Sequence, residues 1–157
     1  MGKVLTQQQI QTYQREGFIS PVDVMSEDEA LCYAQRLQAA EAQYPLELSG
    51  VNRNNGHLCF KFLDELAYHP RVLDAVEDLV GHHFSLWGSV LFIKEPSSSH
   101  FVSWHQDATY MGITPRNFVT PWIALTHSDK HTGCMSMIPQ SHMNDIQPHK
   151  DTYGGNN

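Results

Sequence analysis

Phe84-Ser85-Leu86-Trp87-Gly88-Ser89-Val90-Leu91-Phe92-Ile93-Lys94 is where the pattern of the chain changes. Phe84, Leu86, Val90 and Phe92 alternate with Trp87, Leu91 and Ile93, and no helix stop signal falls before Pro96. Apolar residues on both sides of a period-two repeat predict a strand buried on both faces. Residues 96–99 have the composition of a loop. Beyond them, 101–107, 119–126 and 134–138 are predicted as further strands, the last following the polar turn 128–133.

Upstream the period is helical. Thr6-Gln7-Gln8-Gln9 has the form of a capping box, Ile10 and Tyr13 follow at helical spacing, and Gly17 stands where a helix would end. Ser26-Glu27-Asp28-Glu29 is a second capping box. Ala30, Tyr33, Ala34, Leu37, Ala40 and Tyr44 then share one face until Pro45 stops the helix. Residues 50–56, with Asn52, Asn54 and Asn55, read as a turn. Pro70 opens a third predicted helix, with Val72, Leu73, Val76, Leu79 and Val80 inward, Gly81 past its end and the coming sheet as its packing surface. Helices over roughly 6–80 and strands from roughly 84 predict an α+β chain with a mainly β core, in one domain over 1–157. The last residues, Tyr153-Gly154-Gly155-Asn156-Asn157, read as loop, so the fold is expected to be incomplete at the C-terminus.

Composition narrows the partners. Charged residues are 17% of the 157, the formal net charge is −7, and no basic run stands out, which argues against nucleic acid and anionic membrane. No apolar stretch approaches the roughly 18–20 residues of a membrane helix, and the start of the sequence, polar from Gln7 to Gln14, does not read as a signal-peptide h-region. Cys32, Cys59 and Cys134 are odd in number and form no C-x-x-C pair, which fits a reducing cytoplasm. The ten histidines stand out, because imidazole is the commonest transition-metal ligand.

His105-Gln106-Asp107 has the spacing of the first two ligands of a two-histidine, one-carboxylate site, which holds one face of Fe(II) and leaves the other open. On a strand, side chains two apart point to the same side and can converge on one ion. His127-Ser128-Asp129 and His149-Lys150-Asp151 share the spacing, but both lie in polar, solvated stretches. His105 follows Phe101, Val102 and Trp104, a segment apolar enough to be held against a core. Spacing alone leaves a hydrogen-bonded structural pair as the commoner outcome.

Four linked segments add to this reading: Trp104-His105-Gln106-Asp107-Ala108-Thr109-Tyr110, Val119-Thr120-Pro121-Trp122-Ile123-Ala124-Leu125-Thr126, Gly133-Cys134-Met135, and Ile138-Pro139-Gln140-Ser141-His142. In order and spacing they resemble the phytanoyl-CoA dioxygenase family, closest to bacterial members that tailor amino acids or natural products. Leu5-Thr6 to Gly17-Phe18, His69-Pro70-Arg71 to Gly81, and Trp87-Gly88-Ser89 to Phe92-Ile93-Lys94 extend the resemblance over nearly the whole chain.

The resemblance implies a double-stranded β-helix, the jelly-roll or cupin-like core, with helices packed outside. It implies an Fe(II)- and 2-oxoglutarate-dependent dioxygenase that consumes O2, hydroxylates a small organic substrate, free, carrier-bound or CoA-bound, and releases succinate and CO2. His105 and Asp107 become the metal ligands. Thr120 and Lys94 become contacts to the 2-oxoglutarate cosubstrate, Trp104 and Trp122 core packing, and His142 a structural residue. The family's third ligand, a later histidine, and its cosubstrate-binding arginine are expected beyond Asn157, so the 157 residues alone are expected to be inactive. Two rivals accompany this reading. In a family halogenase a small residue replaces the carboxylate, which Asp107 opposes; the other rival is a truncated noncatalytic remnant or binding module.

Overall fold

The computed structural model describes residues 2–49, 53–98, 101–114 and 117–150. The loop expected at 153–157 and the Asp151 of the third His-x-Asp lie outside them, as do three residues of the predicted turn at 50–56. Five α-helices are described: α1 (Gln7–Glu16), α2 (Glu27–Gln43), α3 (Lys61–Ala67), α4 (Pro70–Val80) and α5 (Ala108–Met111). Short 3-10 turns occupy Gly56–Leu58 and Ser141–Met143. No helix among the described residues is long and apolar enough to cross a membrane.

The first predicted capping box forms in full and the second by half. Thr6 accepts from the Gln9 backbone N–H at 3.2 Å while the Gln9 side chain accepts from the Thr6 N–H at 2.8 Å, so two orphan donors of α1 are satisfied reciprocally. Ser26 caps α2 through the Glu29 N–H at 3.2 Å, but the Glu29 side chain lies 3.2 Å from His69 Nε2, and the predicted return bond to Ser26 is not formed. Pro70 begins α4, where its missing N–H costs nothing, and Gly81 ends it. α3 was not predicted, although Phe62, Leu63 and Leu66 recur at the spacing of one helical face and are all buried.

The core is helical. Ala40 and Leu48 pack with Phe62 and Leu63, and Tyr33, Leu37, Phe60 and Leu91 close around them. Tyr44, Phe60 and Phe62 meet edge to face, with centroids 5.6 and 6.0 Å apart. Arg36 lies over the Phe62 ring at 5.1 Å and pairs with Glu65 at 2.9 Å, so one side chain joins α2 to α3 twice. The chain before α1 is tied to α4: Asp78 accepts from the backbone N–H groups of Lys3, Val4 and Leu5, each at 2.8 Å, and Leu5 is 2% exposed.

The predicted mainly β, jelly-roll core is not what the described residues form. They contain no strand, only an isolated antiparallel bridge between Asn54 and Val90. The physical reason is pairing. Alternation says which side chains share a side, but a strand exists only when a neighbouring backbone completes its hydrogen bonds. Around residues 84–93 that neighbour is the short segment 53–55: Leu91 N–H donates to Arg53 O at 3.1 Å and Asn55 N–H to Ser89 O at 2.6 Å. The period of two persists on one side, with Leu91 and Ile93 partly buried, but Trp87 is 64% and Phe92 61% exposed. The strand buried on both faces is corrected accordingly, and among the described residues α4 has no sheet to pack on. Gly88 lies against Asn55, whose side-chain oxygen would stand 2.9 Å from any added Cβ and instead accepts from Ser89 N–H at 3.1 Å.

Candidate functional site

The chain reaches the His-x-Asp segment in an irregular conformation and turns there. Asp107 has helical angles and precedes the single turn α5, closed by Thr109 N–H to Gln106 O and Tyr110 N–H to Asp107 O, both 2.9 Å. The predicted strand at 101–107 is therefore corrected to a turn. Nor is His105 held against a core, since Phe101, Val102 and Trp104 are exposed, Trp104 at 67%; Trp122 is also exposed. The predicted core packing of both tryptophans fails for the same reason: no layer covers them among the described residues.

The turn nevertheless brings His105 and Asp107 together. His105 Nε2 lies 3.1 Å from Asp107 Oδ1, with the two side chains 33% and 43% exposed. His105 Nδ1 lies 2.7 Å from the Ser103 carbonyl, which can only accept, so Nδ1 carries hydrogen. In the neutral ring this leaves the Nε2 lone pair beside a carboxylate oxygen. The two atoms stand close enough to share one cation, a proton or a metal ion. Thr120 Oγ1–H donates to the other carboxylate oxygen, Oδ2, at 3.2 Å. The predicted site residues His105, Asp107 and Thr120 thus form one cluster. Lys94 is engaged elsewhere, its ammonium donating to the Gly133 carbonyl at 2.7 Å.

The other two motifs differ in kind. His127 Nε2 lies 3.1 Å from Asp129 Oδ2, but Asp129 Oδ1 accepts from the His131 and Thr132 N–H groups at 2.7 and 2.9 Å. The Thr132 N–H first, then His127 and the His131 N–H, hold the Asp129 carboxyl below its ordinary range. One of its two oxygens, Oδ1, is committed to a turn. His149, read from sequence as solvated, instead contacts the site segment: the Gln106 N–H donates to its Nε2 at 3.0 Å, and its Nδ1–H donates to Gln147 O at 2.7 Å. Sequence reasoning missed this contact because it joins residues 43 apart and leaves no local pattern. His142 donates from Nε2 to the Gln14 carbonyl at 3.1 Å, and Gln140 N–H to the Glu16 carbonyl at 2.8 Å. The segment 138–142 therefore satisfies carbonyls at the end of α1.

The profile of the phytanoyl-CoA dioxygenase family (PhyH) matches residues 13–155. This chain belongs to the phytanoyl-CoA dioxygenase family. The match takes in Lys94, His105, Asp107 and Thr120. The chain is 30% identical over 101 residues to a Stutzerimonas stutzeri protein named "Probable alpha-ketoglutarate-dependent hypophosphite dioxygenase", covering 64% of this chain and 35% of that protein. It is 33% identical over 84 residues to the peroxisomal phytanoyl-CoA dioxygenase of Bos taurus, covering 51% of this chain and 25% of the relative. The human enzyme of that name is 29% identical over the same length. The matched part of the chain thus spans 35% of the length of the first of these relatives and 25% of the second. No solved structure matches it.

A metal ion suits the residues present. His105 Nε2 and Asp107 Oδ1 are a nitrogen and an oxygen donor facing one point, and the Ser103 carbonyl on the opposite ring nitrogen is the usual partner of a metal-binding imidazole. Among the described residues no group of three or more His, Cys, Asp and Glu converges, so two protein donors are present there.

Proposed function

We propose that the chain carries the metal-binding face of an Fe(II)- and 2-oxoglutarate-dependent dioxygenase that hydroxylates a small molecule. The observation supporting it is the pairing of His105 Nε2 with Asp107 Oδ1 at 3.1 Å, with the ring fixed by Ser103 so that its lone pair faces the carboxylate. His105 and Asp107 would hold the metal. When bound, Fe(II) supplies O2 activation coupled to decarboxylation of 2-oxoglutarate to succinate and CO2.

The chain's own residues prepare that face. Ser103 sets the His105 ring, and the Thr120 hydroxyl engages Oδ2 so that Oδ1 is left for the metal. Thr120, adjacent to the metal position, is also a proposed contact to the cosubstrate. Lys94 is proposed as the cation for a cosubstrate carboxylate, a role in which its ammonium exchanges Gly133 for that anion. Because Asp107 fills the position that the family's halogenases leave to halide, the proposed outcome is hydroxylation. The relatives' names include hypophosphite and phytanoyl-CoA, which are unlike as substrates. The proposal therefore extends to a small molecule, free or carried on CoA or another carrier.

Fe(II) binding by the 157-residue chain, and 2-oxoglutarate-dependent succinate release by a form that also carries the expected third ligand, each measured with and without His105→Ala, Asp107→Ala and His127→Ala, test this. The first two substitutions are expected to abolish both signals and His127→Ala to keep them. Metal binding that survives loss of His105 and Asp107 would sink the assignment, and equal loss in His127→Ala would show that the wrong motif was chosen.

A further inference from the structure

The residue between the two proposed ligands is gripped from a distant part of the chain. Gln106 N–H donates to His149 Nε2 at 3.0 Å, and the Gln106 side-chain Oε1 accepts from Gln147 N–H at 2.8 Å. The His149 ring is itself fixed, because its Nδ1–H donates to Gln147 O at 2.7 Å, which leaves Nε2 as the acceptor that Gln106 requires. Thr109 Oγ1 stands 3.3 Å from His149 Nδ1. The Tyr110 ring meets both imidazoles edge-on, 5.9 Å from His105 and 6.4 Å from His149.

In a strand, ladder hydrogen bonds fix the peptide between two such ligands. Among the described residues no strand neighbour does so here, and the backbone N–H of Gln106 takes its partner from an imidazole. We propose that His149 is a positioning residue for the metal site: by holding Gln106, it fixes the angle between His105 and Asp107. It does not itself bind the metal, because its Nε2 lone pair is occupied by the Gln106 N–H. The inference rests on the proposed role of His105 and Asp107.

Co(II), whose absorption band reports coordination geometry, is the probe. Affinity and band shape are compared in the unmutated protein, His105→Ala, His149→Ala, His149→Asn and His149→Gln. Gln places a side-chain oxygen where Nε2 stood, whereas Asn and Ala do not. Loss of a partner that orients a ligand typically weakens metal binding roughly 10- to 100-fold. A fall of that size with an altered band is expected in His149→Ala and His149→Asn, and recovery to within a few fold in His149→Gln. The Asn–Gln comparison decides the matter if the alanine variant fails to fold. Unchanged affinity and spectrum in the Asn variant, with binding lost in His105→Ala, would overturn the role of His149 alone. Equal weakening in Asn and Gln would overturn it too, by pointing to direct ligation or a packing role. Binding that persists in His105→Ala would instead overturn the metal assignment on which the inference stands.

Discussion

Gly17 ends α1 with φ at +87°, and the space a side chain would need there is filled by the His142 ring. The two constraints have different origins, since the backbone angle belongs to the helix end and the collision to a residue 125 positions later. Gly17→Ala is expected to cost about 1–2 kcal/mol for the left-handed backbone, and more for displacing the ring that reaches the Gln14 carbonyl. Urea denaturation of Gly17→Ala, His142→Ala and the double variant checks this. Because both changes act on one contact, the double variant should lose less than the sum of the singles. Strict additivity would mean that the ring and the glycine are independent. The glycine was legible from local sequence as a helix stop; its packing against a histidine was not.

At the scale of elements, α1 buries none of its own residues and is kept in place by its two ends. One end is Asp78 on α4. Burial by itself would raise the Asp78 carboxyl, but the N–H donors of Leu5, Val4 and Lys3 together outweigh it and hold the group below its ordinary value of 3.8. A carboxylate depressed in the folded state contributes stability that is present above 3.8 and is lost as pH falls through the lower, folded value. Asp78→Asn should therefore reduce stability at neutral pH and flatten the acid limb, so that the two proteins converge below that window. Urea midpoints from neutral to acid pH measure it, and a gap that stays constant with pH would contradict the linkage. α1, α2 and α4 could be read because their starts and stops are chemical signals a few residues long. α3 carried the same apolar spacing over only seven residues and was passed over.

At the scale of the molecule, the buried apolar core lies among α2, α3 and the turns between them, while residues after Phe84 leave large apolar side chains in water. Trp87, Phe92, Trp104, Met137 and Ile138 are each more than two-fifths exposed. Exposed apolar area beside unpaired backbone favours association. Light scattering over a concentration series should show self-association in the unmutated chain. Trp87→Ser with Phe92→Ser should reduce it while leaving the urea midpoint within about 0.5 kcal/mol, the usual range for surface changes. Loss of stability in that variant would show that these side chains are packed in solution. The helix boundaries set by Thr6, Ser26, Pro70 and Gly81, the period of two near residue 90, and the His105 to Asp107 spacing are legible in the sequence, because each depends on neighbours within a few positions. Tertiary contacts settle the rest: among the described residues this period has no ladder to join, a turn brings His105 to Asp107, Lys94 reaches Gly133, and the Gln106 N–H meets His149. Those outcomes depend on which distant backbone and side chains come within hydrogen-bonding reach, and local sequence carries no record of that.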